Sequence, residues 1–210
     1  MQGIVGIAGV HRTGKSTLMK ALAAAAAWHP APTDVSGVIK SLGMRADKQH
    51  SFDDRMKIQW AVLQHLREHC LELRKLGVPC VTDRTPLDLV MYTMAEIGPE
   101  TITDPAQRAE VRRYVSECYA VANEFFSVVL VLQPGIEPVQ ADMKGSMCDA
   151  YRDHLNLLML GIAMDSRARN LRVIIPASKT DLSDRVSYTL QQCYAGIDRV
   201  IATNACRTLH

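Results

Sequence analysis

Gly9-Val10-His11-Arg12-Thr13-Gly14-Lys15-Ser16-Thr17 spells a complete G-x-x-x-x-G-K-S phosphate-binding loop. Glycines at this spacing let backbone N–H groups turn inward around phosphate oxygens. The N-terminus of a following helix adds its positive end to the same nest. Lys15 is placed to neutralise phosphate charge, and the Ser16 hydroxyl to ligate Mg²⁺. Gly9, His11, Arg12, Thr13, Gly14, Lys15, Ser16 and Thr17 are therefore the candidate contacts to a nucleoside triphosphate, read as ATP with Mg²⁺. The context supports the motif. Ile4-Val5-Gly6-Ile7-Ala8 reads as a buried strand, and Leu18 to Ala27 as a helix. Strand, glycine loop and helix in that order turn a pattern match into a mechanism.

A second chemical stretch is Val81-Thr82-Asp83-Arg84-Thr85-Pro86-Leu87-Asp88. An acid and a base stand together at the end of a short strand. If that strand neighbours the first, Asp83 lies near Ser16 and can hold Mg²⁺ through a water, as a Walker-B acid does. Arg84 can present its fork to an acceptor phosphate or to the migrating phosphoryl group. Asp88 stands three residues after Thr85, and that spacing already accounts for it as the acid of a capping box.

These side chains need a scaffold, and the hydrophobic pattern describes one. A helix is expected from Lys15 to Ala27, then an extended piece at Thr33-Asp34-Val35-Ser36, then an irregular or weakly helical stretch over residues 37–50. Met56, Trp60, Leu63, Cys70 and Leu73 recur at helical spacing within Ser51 to Leu76, and Gly77 ends that helix. Val78 to Thr82 is a strand, and Thr85 caps a helix running to about Ile97. Residues 104–126 are helical, Val128 to Leu132 is a buried strand, and Pro134 to Gly145 is a loop. Asp149 to Arg169 is helical, Arg172 to Ile175 is the last strand, and a helix over Asp181 to Val200 precedes a tail. Strands alternating with helices imply a parallel α/β sheet with right-handed crossovers, and ligands gather at the carboxyl ends of such strands.

Composition narrows the class. A chain of 210 residues, 48% hydrophobic and 22% charged, is long enough for one sizeable α/β domain, taken as residues 1–210. A net charge of +2 carries no strong footprint for nucleic acid. No apolar stretch reaches membrane-spanning length and the chain opens on a strand, so no membrane partner is expected. The six cysteines are scattered without a C-x-x-C pair and read as free thiols of a cytoplasmic protein.

The phosphate loop, Thr-Asp-Val-Ser at 33–36 and Thr-Asp-Arg-Thr-Pro-Leu-Asp at 82–88 together resemble the nucleoside and nucleotide kinases of the P-loop class, thymidylate kinases among them, and most of all small phage-encoded kinases. The resemblance implies a three-layer α/β/α fold with a five-stranded parallel sheet of order 2-3-1-4-5 and a small lid. The lid falls at about 134–152, with Lys144 and Arg152 as its candidate cations. It implies that Asp34 accepts or orients the acceptor hydroxyl, and that the acceptor is a nucleoside or nucleotide. A hydroxymethyl pyrimidine within DNA is the alternative acceptor. A host cytoplasm follows if the chain is phage-encoded, and a homodimer is compatible with this reading.

Other signals are weaker. His65-Leu66-Arg67-Glu68-His69 fits an inverted zinc-protease pattern but lacks a third ligand. Ser178-Lys179-Thr180-Asp181 resembles a guanine-reading motif with Ser in place of Asn, a thin basis for a GTPase switch. The same loop is a candidate contact for the donor base. Tyr92 and Trp60 are candidates for stacking on a base, although Trp60 sits at core spacing. Lys40, Arg45, Lys48, His50, Arg55 and Lys57 form a candidate DNA-lining segment.

Overall fold

The computed structural model describes residues 3–45, 48, 50–137 and 148–207, with 197–207 as backbone. Five strands, β1 (Ile4–Ala8), β2 (His29–Ala31), β3 (Cys80–Thr82), β4 (Phe126–Leu132) and β5 (Leu171–Ile175), form one sheet of order β2-β3-β1-β4-β5. Every pairing is parallel. Parallel neighbours need crossover segments, and right-handed crossovers cover both faces of the sheet with helices.

Period-two alternation along the strands sorts the core into two layers. Val5 and Ile7 of β1 pack with Leu18, Met19 and Leu22 of α1 (Lys15–Ala26) and with Cys193 of α8 (Leu182–Arg207). Ile4 and Ala8 face the opposite layer. That layer is built by α3 (Phe52–Lys75), α4 (Pro86–Ala95), α6 (Pro105–Phe125) and α7 (Asp149–Met164). Two short helices complete the described elements, α2 (Val35–Ser41) and α5 (Pro99–Thr103).

Strand register brings the chemistry to one edge. Gly6 pairs with Thr82, Thr82 with Ala31, Ala8 with Val131, and Leu132 with Ile175. Because all five strands run the same way, the segments that leave them emerge together. These are the loop from Gly9, Thr33 and Asp34, Asp83 and Arg84, residues 133–137, and residues 176–181.

The structure corrects several expected boundaries. The second strand is His29–Ala31, not the piece from Thr33, because the chain pairs with β3 immediately after α1. Residues 35–41 are helical, and Asp34 is their N-cap instead of a strand-end residue. Residues 99–103 form an unexpected helix, begun by Pro99 after Gly98. The helix from Asp149 stops at Met164, with Asp165 in extended conformation as its C-cap. The last helix runs to Arg207, through most of the expected tail. Most of the expected lid, including Lys144, lies outside the described residues. No described helix is long and apolar enough to cross a membrane.

Candidate functional site

The phosphate loop follows a fully buried strand, and its shape is set by backbone conformations that side chains resist. Gly9 has φ +141°, and a Cβ there would stand 2.5 Å from the Leu132 carbonyl oxygen. Only glycine lets the loop turn so close to β4. Gly14 caps α1 in a left-handed conformation, and Arg12 also has positive φ, at 61°. Left-handed backbone at a non-glycine residue is a local cost that functional loops commonly carry. The Thr13 hydroxyl closes the turn by donating to the Val10 carbonyl at 2.9 Å.

Lys15 is buried within this curve. Its Nζ donates to the carbonyls of Gly9 (2.6 Å) and Val10 (2.8 Å). Burial, and secondly the nearby Arg84 cation, lower its pKa to about 8, with Asp88 and Asp83 opposing the shift.

Asp83 joins three segments. Its Oδ2 accepts from Ser16 Oγ at 2.5 Å, and its Oδ1 accepts from the Thr33 backbone N–H and Thr33 Oγ1, both at 3.2 Å. The start of α1, the end of β3 and the segment after β2 therefore meet at one carboxylate. Asp34 follows directly. Its Oδ1 accepts from the Gly37 N–H at 2.8 Å, and a Cβ on Gly37 would stand 2.1 Å from Oδ2. The absent side chain of Gly37 leaves room for the Asp34 carboxylate above the first turn of α2.

Asp88 does more than its spacing suggested. Its Oδ2 accepts from Thr85 N–H and Thr85 Oγ1, both at 2.9 Å, completing the expected capping box. Its Oδ1 accepts from the Gly9 N–H at 3.0 Å, across 79 positions of sequence. The fully buried carboxylate thus ties the phosphate loop to α4. Arg84 is held between these acids. Burial disfavours its charge, but Asp88, a hydrogen bond with Tyr92, and Asp83 outweigh that and raise its pKa. The Tyr92 phenol, pushed up by burial, also meets the His11 backbone.

Arg152 is buried at the start of α7. Its Nη1 lies 3.3 Å from Asp149 and its Nη2 3.5 Å from the Ile136 carbonyl, while its Nε has no partner. Ile136 itself leans over the phosphate loop, with Cδ1 3.9 Å from where a Cβ on Gly14 would stand. The expected lid arginine is thus bonded to the segment that carries Ile136 over Gly14.

Other expectations resolve differently. Trp60 is a packing residue. Its Nε1 donates to Glu110 at 2.6 Å, and its ring meets Tyr114 edge-on, so it is committed to the α3–α6 contact. His65 and His69 stack along α3 with centroids 6.4 Å apart, and the described residues hold no cluster of three metal-ligating side chains. Arg55, of the candidate DNA-lining segment, donates to the Glu96 carbonyl at 2.5 Å and lies 3.6 Å from its carboxylate. Sequence reading missed Arg185, from the first turn of α8. Its Nη1 donates to the Thr13 carbonyl at 3.0 Å, 172 positions away, and no local pattern marks it.

Comparison with known proteins bears on the fold and the family. No protein of curated function matches the sequence. Among solved structures, deoxyadenosine kinase from M. mycoides, with dCMP and a flexible dCDP bound, superposes with a TM-score of 0.61. It has 14% identity, over 91% of this chain and 99% of that one. Thymidylate kinase from Candida albicans gives 0.60 and 15% identity, over 97% and 93%. At such identities the shared property is the fold, here a parallel sheet of order β2-β3-β1-β4-β5 between layers of helices. Residues 5–142 match the AAA domain family, a span that runs from β1 past β4 and contains the phosphate loop, Asp34, Asp83, Arg84 and Asp88; the chain belongs to that family.

Proposed function

We propose that this chain is a phosphotransferase that moves the γ-phosphoryl group of ATP to an acceptor of nucleoside or nucleotide type. The carrying observation is the Ser16–Asp83–Thr33 junction. It sets two oxygen-bearing side chains, Ser16 and Asp83, side by side at the loop, with a second carboxylate, Asp34, one residue beyond Thr33. Ser16 and Asp83 are hard oxygen donors on one edge of the loop, a set that suits Mg²⁺ sharing its shell with phosphates and waters. When bound there, Mg²⁺ supplies neutralisation of phosphate charge. Lys15 and the loop N–H groups orient the donor phosphates. Arg84, held charged by its acidic neighbours, meets the acceptor phosphate or the transferring group. Asp34 has one oxygen held by Gly37, and the other receives the proton of an acceptor hydroxyl. Arg152, buried beside Ile136 with its Nε unpartnered, is the further cation for the donor phosphates. The two kinase structures of the same fold support the reaction class.

Labelled ATP offered with nucleosides, nucleoside monophosphates and hydroxymethylated DNA tests this reading. Transfer to a free nucleoside or nucleotide is expected, with acceptor affinity depending weakly on salt, in keeping with the net charge of +2. Asp34→Asn should lower turnover on a hydroxyl acceptor by about 10²–10⁴-fold, the usual contribution of a general base. A phosphate acceptor is already anionic and would show little change. Transfer to hydroxymethylated DNA alone, with an affinity that falls steeply with salt, would replace the small acceptor by a base in DNA. ATP hydrolysis without any acceptor would overturn the kinase reading.

A further inference from the structure

Arg185 is 1% exposed, one of the largest fully buried side chains. Its Nε donates to the Lys179 carbonyl at 2.5 Å and its Nη1 to the Thr13 carbonyl at 3.0 Å. Nη2 is buried without a partner. Among the described residues no carboxylate pairs with this guanidinium. A buried cation bonded only to carbonyls is costly, because neutral acceptors replace little of the lost hydration. Its location gives that cost a purpose. A Cβ on Gly14 would stand 3.5 Å from Nη1, so the charge lies against the turn that opens α1, where triphosphate charge collects. The two carbonyls it grips belong to different segments. Thr13 is in the phosphate loop, and Lys179 is in the loop after β5, the candidate contact for the donor base.

We infer that Arg185 is a positioning residue for the donor nucleotide. It fastens the loop at 176–181 to the phosphate loop, so that the base and the phosphates of a nucleoside triphosphate meet one preorganised surface. This inference rests on the donor site of the proposed function but not on the identity of the acceptor. The triphosphate supplies the counter-charge that the guanidinium lacks, so Arg185 acts on donor binding both through Thr13 and through the local field. The acceptor side, built from Asp34, Asp83 and Arg84, has no hydrogen bond to it.

Direct titration of ATP, together with separate KM values for donor and acceptor, tests this in Arg185→Met and Arg185→Lys. In Arg185→Met, ATP affinity should fall by about 10–100-fold, the effect typical of charged hydrogen bonds, and the donor KM should rise in step. The acceptor KM should move less than about threefold. Arg185→Lys keeps the charge but not the fork, and should recover part of the donor affinity. Equal rises in both KM values would show general loosening and overturn the inference, as would unchanged ATP affinity in either variant. If Arg185→Met does not fold, Arg185→Lys decides alone: a donor-specific loss supports the inference, and wild-type affinity sinks it. Failure of the wild-type protein to bind ATP would instead refute the proposed function.

Discussion

A single protonation decides how Lys15 works. With a pKa near 8, the side chain is charged at neutral pH but loses its proton within the ordinary working range. A phosphate anion favours the charged form, so binding should draw in a proton above that value. ATP affinity is therefore expected to fall by about tenfold per pH unit once the pH passes 8. Lys15→Ala should remove this dependence and lower turnover by about 10²–10³-fold, the usual effect of losing one preorganised charge. Titration of ATP at pH 7, 8 and 9 in both proteins checks it. Equal affinity at the three values in the wild type would show that Lys15 keeps its proton through this range, and unchanged affinity in Lys15→Ala that it does not carry the binding.

At the scale of elements, Asp88 is the fastening between α4 and the phosphate loop. It satisfies the Thr85 N–H and hydroxyl and the Gly9 N–H, all buried. Asp88→Ala removes the reciprocal half of the capping box, with Thr85 still the N-cap, and leaves those donors without partners. Such a loss should cost about 3–5 kcal/mol, since each buried unsatisfied group costs about 1–3 kcal/mol. For a chain of this size about 2–4 °C of Tm goes with each kcal/mol, so a drop of roughly 10 °C is expected in a thermal melt. ATP affinity should fall as well, because the Gly9 turn loses its anchor. A Tm within about 2 °C of wild type would show that the carboxylate is dispensable to the loop.

Across the whole molecule, the buried thiols tie stability to alkaline pH. Burial raises Cys70 and Cys118 to about 12 and Cys193 to about 11, and it raises Tyr119 to about 12. A raised folded-state pKa means that stability is fully present below the unfolded value and is lost as the pH climbs towards the folded one. The unfolded thiols ionise near 9, so the loss begins there and continues to about 11–12. Lys15 works in the opposite sense. Its lowered pKa adds stability between about 8 and its unfolded value of 10.5. Three thiols against one lysine leave a net loss of about 1–3 kcal/mol per pH unit. Urea unfolding at pH 8, 9 and 10 should show the midpoint falling above 9. A midpoint that rises or holds steady would show that these thiols are not sealed in the native core.

The sequence by itself determined the phosphate loop, the capping box at Thr85–Asp88 and the sheet that presents them. Each rests on local rules: glycine freedom, cap chemistry, and the two periods of apolar residues. It put Asp83 near Ser16 only on condition that β3 neighbours β1, and the structure supplied that adjacency. Where β2 begins was not legible. A three-residue strand containing Pro30 has little pattern of its own and exists only because β3 offers it a partner. The second duty of Asp88, the commitment of Trp60 to Glu110, and the grip of Arg185 on Thr13 were equally hidden. Each of these contacts joins residues at least 50 positions apart, and only the packing of helices onto the sheet brings them within hydrogen-bond reach.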